Sequence, residues 1–243
     1  MSSRRAAALS LVIALSLPAC SGGQPAEPEE RSPEERTRAC DAYTAVGQMR
    51  VPSVVAFERP QEDASMIARF PRINAQGAEQ VFPILLDRYR DGRLWHQVML
   101  PIRPNGTTGW IPANAVTLRR SDFRIEVDLE RFRLDLFERC ERLETYEIGI
   151  GTLDTPTPRG RFFLNSLLRP PTEGTVYGAL AFGLSAYSDV ITDWEGGGIV
   201  GLHGTNDPSS LGRRVSYGCI RMENASIREI ARTVPLGTPI EIS

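Results

Sequence analysis

Gly201-Leu202-His203-Gly204-Thr205 and Val215-Ser216-Tyr217-Gly218-Cys219-Ile220-Arg221-Met222 are the stretches on which the reading of this chain turns. Between them lies a polar loop through Asn206, Pro208 and Gly212, and the sixteen positions from 203 to 219 let two strands return side by side. A free thiol ionises near pH ~8.5, so only a few per cent is thiolate at neutral pH, and an imidazole alongside corrects this by taking the proton. His203 is the histidine close enough in sequence to serve Cys219. Gly218, immediately before the cysteine, adds a second feature: consecutive backbone N–H groups at a tight turn form an oxyanion hole. For an arbitrary pair, a buried cysteine near a surface histidine is the plainer interpretation.

The inventory of the 243 residues narrows the chemistry further. All 28 basic residues are arginine, which excludes a P-loop lysine, a pyridoxal Schiff base and a Ser-Lys dyad. With only His96 and His203, a three-histidine zinc site cannot be built; no metal and no cofactor is expected. A lone histidine beside Trp95 on a strand, His96 is read as packing or surface. The formal net charge of −2 gives no reason to expect nucleic acid as partner.

Residues 1–20 read as an export signal. Arg4-Arg5 precede the apolar run Ala6 to Leu17, which is too short for the roughly 20 residues of a membrane-spanning helix. Leu17-Pro18-Ala19-Cys20, followed by Ser21-Gly22-Gly23, resembles the lipobox of bacterial lipoproteins. The resemblance implies lipidation of Cys20, a membrane anchor and an extracytoplasmic location on the bacterial cell envelope; an ordinary cleaved signal is the alternative. Residues 21–40 are rich in Gly, Pro, Glu and Arg and read as a disordered tether. Exported thiols tend to pair. If Cys40 and Cys140 bridge, they close a loop of about 100 residues, for which chain entropy gives roughly 4.7 kcal/mol. Cys219 is then left over, and three unrelated buried thiols are the other possibility.

The rest of the chain is expected to be mainly β, in two domains. Residues 41–118 carry short apolar stretches punctuated by Pro and Gly: Val54 to Phe57, Gln80 to Leu86, Trp95 to Leu100 and Gly109 to Ile111. The segment from Leu94 through Gly109-Trp110-Ile111-Pro112 to Val116 resembles bacterial SH3-like domains, implying a small barrel. Residues 119–122 read as the joint. In 122–243, Phe123, Ile125, Val127 and Leu129 alternate with polar residues, and Phe132, Leu134 and Leu136 alternate again, a hairpin pattern that Tyr146, Ile148 and Ile150 continue. Asn224 is placed to cap a short helix through Ile227, Ile230 and Ala231 that Pro235 stops, and Pro239 to Ser243 is a last strand.

His203-Gly204-Thr205 with Ser216-Tyr217-Gly218-Cys219-Ile220-Arg221-Met222 resembles the signature of the L,D-transpeptidases of bacterial cell walls, the YkuD-type catalytic domain. Thr155-Pro156-Thr157-Pro158-Arg159-Gly160 resembles the Thr-Pro-x-Gly stretch of the same domain, and Tyr217 stands where many members carry a second histidine. The resemblance implies Cys219 as nucleophile and His203 as its base. Backbone donors at Tyr217, Gly218 and Cys219 would form the oxyanion hole, and Arg221, Ser216 and Gly204 would contact substrate. Arg213 and Arg214 read as a solvated loop at the cleft mouth. The implied reaction releases D-alanine from a tetrapeptide stem of peptidoglycan and forms a 3→3 cross-link through a thioester. A carboxypeptidase or D-amino-acid exchange catalyst with the same nucleophile, and a non-catalytic cell-wall binding lipoprotein, are the alternatives. The protein is expected to be monomeric.

Overall fold

The computed structural model describes residues 44–192 and 196–243. The expected signal, the expected lipidation site Cys20, the expected tether and Cys40 lie outside them. Seven strands form the first sheet: β1 (Thr44–Met49), β2 (Ser53–Phe57), β3 (Met66–Pro71), β4 (Val81–Arg90), β5 (Arg93–Met99), β6 (Thr108–Pro112) and β7 (Val116–Ser121), in the order β3-β2-β6-β5-β4-β1-β7. Its apolar stretches bury Val54, Ala56, Phe82, Val98 and Ile111 in one core. Two strands carry little sequence signal. β1 contains Gly47, which packs against Val116 and Ile84 where a side chain would intrude, and β3 buries Phe70 alone. His96 is buried, its Nδ1 2.6 Å from Asp87 Oδ1, as a packed strand histidine should be.

Residues 119–122 are not a free joint. Arg119, Arg120 and Ser121 belong to β7 and pair with Val46, Ala45 and Thr44 of β1, so the turn between the two sheets is Asp122 alone. The reason is packing: Ser121 is buried with Oγ 2.8 Å from Thr238 Oγ1 of the second sheet. Val46 and Val81 also share a small apolar cluster with Phe163 and Leu236.

The second unit comprises β8 (Phe123–Asp128), β9 (Arg133–Glu138), β10 (Glu141–Glu147), β11 (Ile150–Gly151), β12 (Gly160–Leu168), β13 (Ala181–Tyr187), β14 (Ile199–His203), β15 (Arg214–Ser216), β16 (Ile220–Arg221), one helix α1 (Asn224–Thr233) and β17 (Pro239–Ile242). The hairpin expected around residue 130 is β8–β9, in register from Phe123↔Glu138 to Asp128↔Arg133. Its turn is closed by Asp128 Oδ1, which accepts the N–H groups of Glu130 and Arg131. Ile150 does not extend that meander; it leaves with Gly151 to pair in parallel with β15, directly upstream of the cysteine turn. The eight-stranded sheet runs β10-β9-β8-β17-β12-β13-β14-β16. Among the described residues the fold is thus mainly β with one short helix. That helix buries Ile227 and Ile230 against the sheet, roughly 1.5–3 kcal/mol each by area. Asn224 is its first residue rather than its cap, because its side chain is used elsewhere.

Candidate active site

Strand parity builds the site. β14 and β16 run parallel, with Leu202 opposite Ile220 and His203 opposite Arg221. Successive side chains on a strand point to opposite faces. Leu202 and Ile220, both fully buried, therefore enter the core together. Gly201, His203, Cys219 and Arg221 share the other face. Gly201 has no side chain, and the space a Cβ would occupy is 3.4 Å from His203 Cδ2 and 3.6 Å from Cys219 Sγ. The imidazole edge and the sulfur can thus be separated by no more than the sum of those distances. Gly201 also donates its backbone N–H to Cys219 Sγ at 3.3 Å. Sequence reasoning missed Gly201, and the signal was there: a glycine two residues before the histidine on one strand.

His203 is buried, and its Nδ1 lies 2.5 Å from the Gly204 carbonyl oxygen. A carbonyl only accepts, so Nδ1 carries the proton and Nε2 is left as the basic atom. Gly204, where substrate contact was expected, is buried; its carbonyl orients the imidazole and its N–H donates to the Leu180 carbonyl at 3.0 Å. Tyr177 packs edge-on to the same ring, centroids 5.2 Å apart. Burial pushes His203 down to about 4, opposed by the Gly204 hydrogen bond and aided by the Arg221 charge. Burial likewise pushes the Cys219 thiol up, against the Gly201 N–H and the Arg221 charge. Both groups are therefore neutral near pH 7, a thiol beside an imidazole rather than an ion pair.

The turn that presents Cys219 is held from within. Ser216 Oγ donates to the Cys219 carbonyl at 2.6 Å and accepts the Gly218 N–H at 3.2 Å. This buried hydroxyl thus holds the turn through one donated and one accepted hydrogen bond, and Ser216 also borders the cavity where substrate contact was expected. It also commits the Gly218 N–H, one of the three expected oxyanion donors, to the turn itself. Gly218 has φ +109, a conformation side chains rarely adopt, and faces the Pro156 carbonyl. The Thr155–Gly160 stretch sits behind the turn: Thr155 Oγ1 and the Thr152 N–H both donate to the Ser216 carbonyl at 3.0 Å. Tyr217 is exposed at the rim.

Asn224 locks the floor. Its Oδ1 accepts the Ala179 N–H at 2.8 Å and its Nδ2 donates to the Thr205 carbonyl at 3.0 Å, tying the Tyr177 segment to the His203 strand. Gly178, with φ +59, and Gly204 both leave room for that amide.

Above these residues lies a cavity of about 680 Å³ lined by His203, Cys219, Arg221, Ser216, Tyr177 and Tyr217, with further walls from other loops. Arg221 Nε is buried without a hydrogen-bond partner in the structure. Arg213 and Arg214 are exposed, Arg214 lying over the Phe132 ring. Cys140 is disulfide-bonded, and Cys219 is the free cysteine among the described residues. No group of three His, Cys, Asp or Glu among the described residues could hold a metal ion.

A family model of the L,D-transpeptidase catalytic domain matches residues 122–242. The chain is 36% identical over 160 residues to "Putative L,D-transpeptidase YkuD" of Bacillus licheniformis, covering 63% of this chain and 89% of that protein. The chain belongs to the L,D-transpeptidase family. Its likeness to the Bacillus subtilis protein of the same name is 36% over 121 residues, half of this chain and 66% of the other. A third relative, "Putative L,D-transpeptidase YqjB" of Bacillus subtilis, is 35% identical over 108 residues, 40% of this chain and 58% of that one. For an L,D-transpeptidase, action on the cell wall and a place outside the cytoplasm follow from the family.

Proposed function

We propose that this L,D-transpeptidase cross-links peptidoglycan stems 3→3 through a thioester on Cys219. The observation that carries the reading is the shared face on which Cys219 Sγ and the His203 ring edge both border the bare Gly201 position at the cavity floor. As Sγ attacks the carbonyl carbon of the third stem residue, its proton passes to His203 Nε2. Because both groups rest neutral, proton transfer accompanies attack. The negative charge that develops on the carbonyl oxygen is met by the Cys219 N–H, with the Tyr217 amide on the same turn. Collapse breaks the peptide bond, and the departing D-alanine amine takes the proton from His203. The side-chain amine of a neighbouring stem then attacks the thioester carbon, His203 Nε2 accepts its proton, and the thiolate leaves and is reprotonated.

Arg221 supports the same reading, since a guanidinium on the cavity wall with an unsatisfied Nε suits a stem carboxylate. The monomeric chain would be lipid-anchored at Cys20, with the first sheet an SH3-like unit and Cys140 bridged to Cys40. The test is product analysis on purified tetrapeptide stems with Cys219→Ala as control. Cross-linked dimers with released D-alanine support transpeptidation. Tripeptide alone, or exchange of D-alanine for another D-amino acid, would replace it with the carboxypeptidase or exchange reaction, and no product from either protein would favour a binding module.

A further inference from the structure

One wall of the cavity is held from outside the catalytic domain. Ser188, Ile191, Gly198 and Ile199 line it. The β13–β14 pairing breaks register between Gly183 and Tyr187, so the backbone beyond it lacks a continuous ladder. Internally it keeps the Ser188 N–H to Gly198 carbonyl bond at 2.7 Å and the Ile191 N–H to Ser188 Oγ bond at 3.1 Å.

Three of its carbonyls turn to a single arginine of the first sheet's β5–β6 connection. Arg103 Nη1 donates to the Ser188 carbonyl at 2.7 Å, and Nη2 donates to those of Ile191 and Gly197 at 3.2 and 3.1 Å. The guanidinium lies 5.0 Å over the Tyr187 ring. Gly198, at φ +75, is bare where a Cβ would come within 2.7 Å of Nη2. Beside it, Asn105 Oδ1 accepts the Tyr187 N–H at 2.9 Å while Nδ2 donates to the Tyr187 carbonyl at 2.8 Å, taking the place of a missing strand neighbour. Tyr187 in turn donates its hydroxyl to the Pro101 carbonyl at 2.8 Å. The first sheet reaches the cavity at a second point, where Gln76 lines it and Asn74 Nδ2 donates to the Asn165 carbonyl at 3.1 Å.

We infer that Arg103 is a positioning residue through which the N-terminal sheet sets the wall of the peptide-binding cavity, so that substrate acceptance by the catalytic domain depends on the domain before it. The planar guanidinium is suited to this because it offers several donors in a fixed fork, which a lysine ammonium on a flexible stem does not reproduce. The inference rests on the transpeptidase reading for its substrate, and on the hydrogen bonds alone for its mechanics. A wall displaced by an ångström lowers productive binding of a large peptide while leaving a small reagent's path to Cys219 open.

The test uses the whole exported chain with Arg103→Ala and Arg103→Lys. Arg103→Ala is expected to raise KM for the tetrapeptide donor about fivefold or more with kcat within about twofold. Alkylation of Cys219 by iodoacetamide is expected to be unchanged, and hydrogen exchange at the Ser188, Ile191 and Ile199 amides to accelerate. Arg103→Lys should fall between. Unchanged exchange and unchanged KM in Arg103→Ala overturn the inference, as does a loss of turnover accompanied by faster alkylation of Cys219, which would mean general loosening. Should Arg103→Ala fail to fold, Asn105→Ala tests the same wall from Tyr187 with the same readouts. If the unaltered protein turns over no stem peptide, the transpeptidase reading fails while hydrogen exchange still decides the role of Arg103.

Discussion

Burial of His203 should make the protein's stability fall with acid in a way that one substitution removes. His203 sits 3% exposed and is pushed down from 6.5 to about 4, chiefly by loss of hydration. Below pH ~6.5 the unfolded chain binds a proton at this position and the folded chain does not. Stability therefore declines as pH falls from about 6.5 to about 4, and levels off for this group once the folded imidazole also protonates. Each pH unit is worth about 1.4 kcal/mol, so the whole interval amounts to about 3 kcal/mol. The assay is urea denaturation at steps between pH 7.5 and 4 for the unaltered protein and for His203→Gln. The carboxylates held low by hydrogen bonds, Asp122, Asp128 and Asp207, titrate in both proteins and cancel in the difference. The stability difference between the two should shrink or grow by about 3 kcal/mol across the interval, in favour of the glutamine variant toward acid. A difference that stays constant with pH would refute the reasoning, and would mean that the imidazole is hydrated or already charged in the fold.

The same burial predicts slow chemistry at the unaided sulfur: iodoacetamide should alkylate Cys219 more slowly at pH 7 than it does free cysteine, and the rate should keep rising above pH 9, the thiol's ordinary range. Ser216→Ala removes both hydrogen bonds that shape the cysteine turn and leaves a buried carbonyl and N–H unmatched, so denaturation should show a loss of about 2 kcal/mol. Gly201→Val would fill the space between the imidazole edge and the sulfur; acylation should drop at least about 100-fold in stopped-flow measurements while circular dichroism stays that of the native fold. Gly178→Ala forces a side chain into φ +59 and into the Asn224 amide, and thermal melting should report a cost of at least about 1 kcal/mol.

Much of this was legible because the decisive signals are local. Alternation in Phe123 to Leu136 exposed the β8–β9 hairpin, and the glycine-rich return between His203 and Cys219 announced two adjacent strands. What stayed hidden depends on contacts between distant positions. β1 breaks its apolar alternation with Gly47 and Gln48 and β3 buries Phe70 alone, so neither shows a pattern, and Arg119 to Ser121 look like a polar joint until Ser121 meets Thr238. Asn224 has the residue type of a helix cap, yet its amide satisfies the Ala179 N–H and the Thr205 carbonyl instead. Nothing in the motif's spacing shows that the Gly204 carbonyl orients His203 or that the Ser216 hydroxyl ties the Cys219 turn together. Arg103 resembles any surface arginine in sequence, because its three carbonyl partners lie 85 to 94 positions away.

The claim beneath all of this is that Cys219 takes the acyl group with His203 as its proton acceptor. Intact-protein mass spectrometry after incubation with a carbapenem, a strained β-lactam that acylates a reactive nucleophile, tests it most directly. The account predicts a single adduct that maps to the Cys219 peptide, forms far more slowly in His203→Gln and is absent from Cys219→Ala. No adduct on the folded, unaltered protein, or an equal adduct on Cys219→Ala, would contradict it.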